Sequence, residues 1–122
     1  RSVNRGGTTR AQCAMTVATT VVSRPDTDRA VLDAGGKTLT PDSEDGLYGF
    51  IVEYPDARIY KLSEEHGHID LSHCDEKPVI GERVHVIPVH TCLVTNMHDT
   101  IYGVHDNTVE AVWNVAARGR VW

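Results

Sequence analysis

Apolar residues along this chain come in short β-branched runs rather than in helical stripes. Residues 14–23 (AMTVATTVVS) and 29–33 (RAVLD) read as strands, with a turn at Arg24-Pro25-Asp26 between them. Residues 47–54 (LYGFIVEY) and 57–63 (ARIYKLS) flank Pro55-Asp56, which predicts that they pair as a hairpin. Further short strands are expected at 67–71, 84–87 and 90–94, with Pro88 interrupting between the last two. Residues 100–105 and 108–113 predict another hairpin around Asp106-Asn107. The intervening stretches 34–37, 39–46 and 72–78 are rich in turn formers. No segment has the periodicity of a helix longer than about two turns. Eight or nine short strands predict a mainly β fold, a small β-barrel or sandwich, in one domain over residues 1–122.

Composition strengthens this picture and narrows the function. The 16 valines favour strands. Seventeen acidic against twelve basic residues give a net charge of -5, with no Lys/Arg cluster, which argues against a nucleic-acid partner. No run approaches the roughly 18 apolar residues of a membrane-spanning helix, and no charged-then-apolar leader is visible. Neither a membrane partner nor a signal peptide is expected. The three cysteines, Cys13, Cys74 and Cys92, form no C-x-x-C, which argues against a disulfide framework and a four-cysteine zinc site. A reducing cytoplasm fits them. The chain opens at Arg1 without an initiator Met, so a processed N-terminus or a piece of a longer protein is expected.

The best candidate for chemistry is Pro88-Val-His-Thr-Cys92. In an extended chain His90 and Cys92 point the same way, about 7 Å apart. Imidazole and thiolate are both zinc ligands, and two ligands leave open positions, as in catalytic zinc sites. The alternative is a hydrogen-bonded strand histidine beside a cysteine acting as a small buried hydrophobe. The spacing leaves both open.

Weaker signals lie elsewhere. Glu64, His66 and His68 would share one face if residues 63–68 were extended, offering a metal or acid–base group beside Glu65. A polar hairpin edge is the competing expectation. Asp33-Ala-Gly-Gly-Lys37 resembles a phosphate loop only superficially, because the G-x-x-x-x-G-K-[ST] spacing is missing. A tight turn with glycine at positive φ is expected there instead. His73 and Cys74 are adjacent and form a poor metal pair. No H-E-x-x-H or G-x-S-x-G occurs.

Five segments taken together are more specific. Asp33-Ala-Gly-Gly-Lys37, Leu62-Ser-Glu-Glu-His-Gly67, Gly81-Glu-Arg-Val84, Pro88-Val-His-Thr-Cys92 and Ala117-Arg-Gly119 occur in this order. That order resembles the C-terminal domain of the D-serine dehydratase and D-threonine aldolase family, whose fold is alanine-racemase-like. The resemblance spans about residues 14–119. It implies an enzyme whose N-terminal (β/α) barrel, in the same polypeptide, binds pyridoxal 5'-phosphate through a lysine. The barrel is absent from this chain, so Lys37, Lys61 and Lys77 are not expected to hold the cofactor. The resemblance also implies that His90 and Cys92 bind zinc, that the substrate is a small D-amino acid, and that the full enzyme is a homodimer. His-x-Cys leans toward D-serine dehydration to pyruvate and ammonia. Aldol cleavage of D-3-hydroxy amino acids and a non-catalytic β-barrel binding module are the alternatives. The isolated domain is expected to be inactive alone.

Overall fold

A computed structural model describes residues 6–120. Six antiparallel strands form one sheet, and two more form a separate hairpin. The strands are β1 (Val17–Asp26), β2 (Arg29–Leu32), β3 (Phe50–Ile51), β4 (Arg58–Leu62), β5 (Gly67–Asp70), β6 (Arg83–Ile87), β7 (Thr100–His105) and β8 (Thr108–Asn114). Two short helices, α1 (Gly36–Leu39) and α2 (Thr91–Met97), interrupt the β pattern. The sheet runs β3-β6-β1-β2-β5-β4. Its two edges approach each other, because the Tyr48 N–H donates to the Ile59 carbonyl at 3.0 Å. The result is a nearly closed barrel, as expected from the strand count.

Strand β1 organises the barrel. Its first half, Val17 to Thr20, pairs with β6, and its second half, from Val21, pairs with β2. Irregularities after Val21 and Ser23 bend it between these partners. Alternation then decides what faces inward. Val17, Thr19 and Val21 of β1, Ala30 and Leu32 of β2, Ile69 of β5, and Val84 and Val86 of β6 are buried. Leu39 of α1 and Val94 of α2 join that core, fully buried.

Three local expectations are corrected. The chain does not turn at Arg24-Pro25-Asp26. Strand β1 continues to Asp26, and the turn lies at Thr27-Asp28. Residues 47–54 and 57–63 do not form a hairpin. Only Phe50–Ile51 is a strand, and it pairs with β6, whereas β4 pairs with β5. The cause is local: Gly49 adopts φ 149°, and a Cβ there would lie 2.6 Å from Val86 Cγ1. A bend that tight ends one strand and starts another. Residues 90–94 are not extended either. Pro88 supplies no N–H to the ladder, β6 stops at Ile87, and the chain enters α2 with the Val94 N–H donating to the His90 carbonyl at 3.3 Å. Burial of Val94 against the core favours the helix over the strand that its β-branching predicts.

Strands β7 and β8 form the expected hairpin, with Asp106 at φ 47° and Asn107 at φ 60° in its tip. Positive φ at both tip residues matches the twist of the strands they join.

Candidate functional site

The His90–Cys92 pair sits where β6 passes into α2. His90 caps α2 in an extended conformation (φ -139°, ψ 101°), and Cys92 is the second helical residue. The strand geometry expected for the pair is therefore replaced by a strand-to-helix corner. His90 Nδ1 lies 2.8 Å from Asp42 Oδ2. The side chains of His90 and Asp42 are 38% and 30% exposed. Cys92 is exposed, so the reading of it as a small buried hydrophobe fails. His90 is hydrogen-bonded, as the alternative reading required, but its partner is a carboxylate 48 residues away.

Spacing gave no hint of Asp42. It follows α1 and Thr40-Pro41 in what reads as an ordinary polar loop. Thr40 is the C-cap of α1 at φ 66°, ψ 161°, a region that β-branched residues almost never occupy. Its hydroxyl is buried without a hydrogen-bond partner among the described residues. Strain of this kind costs on the order of 1–3 kcal/mol. It occurs two residues before the carboxylate that meets His90.

The D-A-G-G-K and S-E-E-H-G segments form one junction. The N–H groups of Gly36 and Lys37 donate to the carbonyls of Ser63 (2.8 Å) and Glu64 (3.0 Å). Those amides are the donors a phosphate would need, so this is no phosphate cradle. Nor do these glycines take positive φ, as the turn reading expected, since Gly35 has φ -109°. Close approach demands the glycine instead: a Cβ on Gly35 would meet the carbonyl oxygens of Ser63 and Glu64 at 2.5 Å.

This junction also corrects the reading of Glu64, His66 and His68 as a metal or acid–base group. Residues 63–66 form the β4–β5 turn, with the Ser63 N–H donating to the His66 carbonyl at 2.8 Å. Glu64 and Glu65 both pair with Lys37, at 3.0 and 2.7 Å. Hydrogen bonds from Lys37 to Glu65 and Glu64 push the lysine up to about 12. His68 Nε2 lies 3.0 Å from Ser63 Oγ. Among the described residues, no cluster of three or more His, Cys, Asp or Glu is placed to hold a metal.

Other groups serve the fold. Burial raises the Asp33 carboxyl, but hydrogen bonds from the Thr19 hydroxyl (2.5 Å) and the Thr20 N–H (2.7 Å) outweigh it and hold the group below its ordinary range. Burial pushes the Cys74 thiol up, and its side chain packs on the core. One cavity of about 320 Å³ is lined by Arg10, Cys13, Asp56, Arg58 and His73 among others, but by neither His90 nor Cys92.

The donor set fits zinc. Nitrogen and sulfur are its preferred protein ligands, and a histidine whose other ring nitrogen is held by a carboxylate is the usual metal-ligating arrangement.

A mainly β, nearly closed barrel is the architecture of the C-terminal domain of alanine-racemase-like enzymes. The family model described as "Putative serine dehydratase domain" matches residues 14–104, and the chain belongs to that family. An uncharacterized protein of Mycobacterium tuberculosis is 43% identical over 116 residues, covering 90% of this chain and 87% of its own length. D-threonine aldolase of an Arthrobacter species is 34% identical over 103 residues, covering 84% of this chain and 26% of the aldolase. The crystal structure of D-threonine aldolase from Filomicrobium marinum superposes with a TM-score of 0.79 at 35% identity, covering 89% of this chain and 29% of that one. The chain thus spans about a quarter of the aldolases it matches and most of the mycobacterial protein. Among the described residues, no helix is long and apolar enough to cross a membrane.

Proposed function

We propose that this chain is the metal-binding C-terminal β-domain of a pyridoxal-phosphate-dependent D-amino-acid lyase. His90 and Cys92 are its zinc ligands, and D-serine is the first substrate to test. The observation that carries this reading is the corner itself. An exposed cysteine lies two residues from a histidine whose Nδ1 is held by Asp42, in a chain similar to D-threonine aldolase.

In this reading His90 uses Nε2 and Cys92 its sulfur, with the remaining positions open to substrate. Bound there, zinc would act as a Lewis acid on a β-hydroxyl, beside pyridoxal phosphate carried by a barrel outside these residues. The chain's own contribution is placement. The barrel core fixes α2 through Val94, and α2 carries Cys92. Dehydration follows from the His-x-Cys pair of the resemblance. The identity to D-threonine aldolase favours aldol cleavage as the second reading. In the full enzyme we expect a homodimer in the cytoplasm.

Elemental analysis of the intact protein, together with turnover of D-serine and D-threonine, tests this. About one zinc per chain is expected, with His90→Ala and Cys92→Ala removing zinc and turnover together. Release of ammonia and pyruvate from D-serine marks the dehydratase, and glycine from D-threonine marks the aldolase. Full turnover in a zinc-free double variant would sink the proposal. Stoichiometric zinc with neither activity would leave a binding module.

A further inference from the structure

We infer that Asp42 is the positioning residue of the metal centre, fixing which ring nitrogen of His90 faces the metal. The inference rests on the proposed zinc site and adds a residue to it. A carboxylate accepts hydrogen bonds and cannot donate them. With Asp42 Oδ2 at 2.8 Å, the His90 proton belongs on Nδ1, and the lone pair that a metal needs is on Nε2. The contact also fixes the plane of the ring, so that Nε2 has one direction rather than a range of rotamers.

The loop that delivers Asp42 is built for this contact. Asp42 follows Thr40 and Pro41, and Thr40 stands at φ 66° with its hydroxyl buried and unpartnered among the described residues. The strained residue thus stands between the end of α1 and the carboxylate that meets His90. Leu39 and Val94 are fully buried in the same core, so the helix that precedes Asp42 and the helix that follows His90 are anchored together. The two partners are thus held from both sides.

Another histidine shows what a simple surface pair looks like. His85 Nδ1 lies 2.6 Å from Glu53 Oε1, while Glu53 Oε2 accepts from the His85 backbone N–H at 2.9 Å. Its histidine sits on regular strand β6, with no cysteine two residues away. It is the internal control.

The test uses the intact protein and cobalt(II) as the probe. Dissociation constants come from chelator competition, and thiolate coordination is read in the near-ultraviolet. The His90 tautomer is read by nitrogen NMR on the metal-free protein. Asp42→Ala is expected to weaken cobalt binding about 10–100-fold and to shift His90 away from the Nδ1–H form. Asp42→Asn, whose amide oxygen still accepts from Nδ1–H, recovers most of both. His85→Ala changes neither. An Nε2–H tautomer in the wild-type protein overturns the inference without any variant. Unchanged affinity and tautomer in Asp42→Ala also overturn it, and leave the zinc reading standing if His90→Ala and Cys92→Ala still abolish uptake. If no variant alters uptake, both readings fall. A cobalt spectrum that changes coordination number in Asp42→Asn makes Asp42 a ligand and removes its positioning role.

Discussion

Gly36 donates its N–H to the Ser63 carbonyl at 2.8 Å, stitching α1 to the β4–β5 turn. The contact requires the preceding residue to have no side chain, because a Cβ on Gly35 would strike the turn's backbone. Backbone cannot rotate away as a side chain can. Gly35→Ala is therefore expected to destabilise the domain by about 1–3 kcal/mol. Gly36→Ala should cost less, since the nearest atom, the Ser63 carbonyl oxygen, would stand 3.5 Å away. Thermal unfolding of the two variants side by side gives the comparison, and equal melting temperatures would refute the close-approach argument.

Leu39 is fully buried and anchors the helix that leads to Thr40 and Asp42. Leu39→Ala should cost about 2–5 kcal/mol, as deletions of this size in packed cores do. Urea unfolding measures it. A loss under about 1 kcal/mol would mean that the site collapses around the smaller residue.

The candidate chemistry was only partly legible in the sequence, and the reasons differ from residue to residue. Inward alternation in β1, β2, β5 and β6 was visible because one face of each strand is buried and the other wet. The β7–β8 hairpin was visible because Asp106-Asn107 tolerates positive φ. The short helix α2 was not, because its β-branched Val94 favours strand locally and only burial against the core decides otherwise. His90 and Cys92 are visible as a pair, but the helix that carries Cys92 is not, so their spacing points to a strand. Asp42 was missed, because a contact across 48 residues leaves no mark in local spacing.

Acid should weaken the fold through carboxylates held below their ordinary range, Asp33, Glu53 and Asp70 among them. Hydrogen bonds to Ser72 lower Asp70. Burial raises Asp33 and Glu53, but hydrogen bonds, from Thr19 and Thr20 in one case and His85 in the other, bring them below their ordinary values of 3.8 and 4.5. A depressed group holds fewer protons folded than unfolded. Its contribution is complete above about pH 5 and is lost as pH falls through the carboxylate range. Asp33→Asn should flatten that acid limb in a stability-against-pH series. An unchanged slope would rule Asp33 out as a contributor.

The alkaline limb has the opposite sign. The Tyr54 hydroxyl donates to Glu82 at 2.6 Å, and this bond, with burial, pushes the phenol up to about 12. Its contribution is present below the ordinary value of 10.0 and is lost as pH rises toward 12. Tyr54→Phe should cost about 1.5–3 kcal/mol at neutral pH, the range for a hydrogen bond to a charged partner. It should also remove part of the alkaline loss. Chemical denaturation at neutral and high pH reads both effects.

The division of β1 between two partners has a kinetic consequence. Because the same strand pairs with β6 along one half and β2 along the other, it joins both sides of the barrel. Its ladder-bonded amide protons should therefore be among the slowest to exchange with solvent. Among the described residues the β7–β8 hairpin has no such partner strand, and Tyr102, Val104 and Val112 stand exposed on it. At its base the Val115 N–H donates to the Asp99 carbonyl, closing the hairpin on itself, and beyond β8 the Gly119 N–H donates to the Asn96 side chain of α2. The hairpin amides should exchange early. Helix α2 lies on the boundary between the slow and fast regions, so Cys92 stands at the point where the rigid part of the molecule ends.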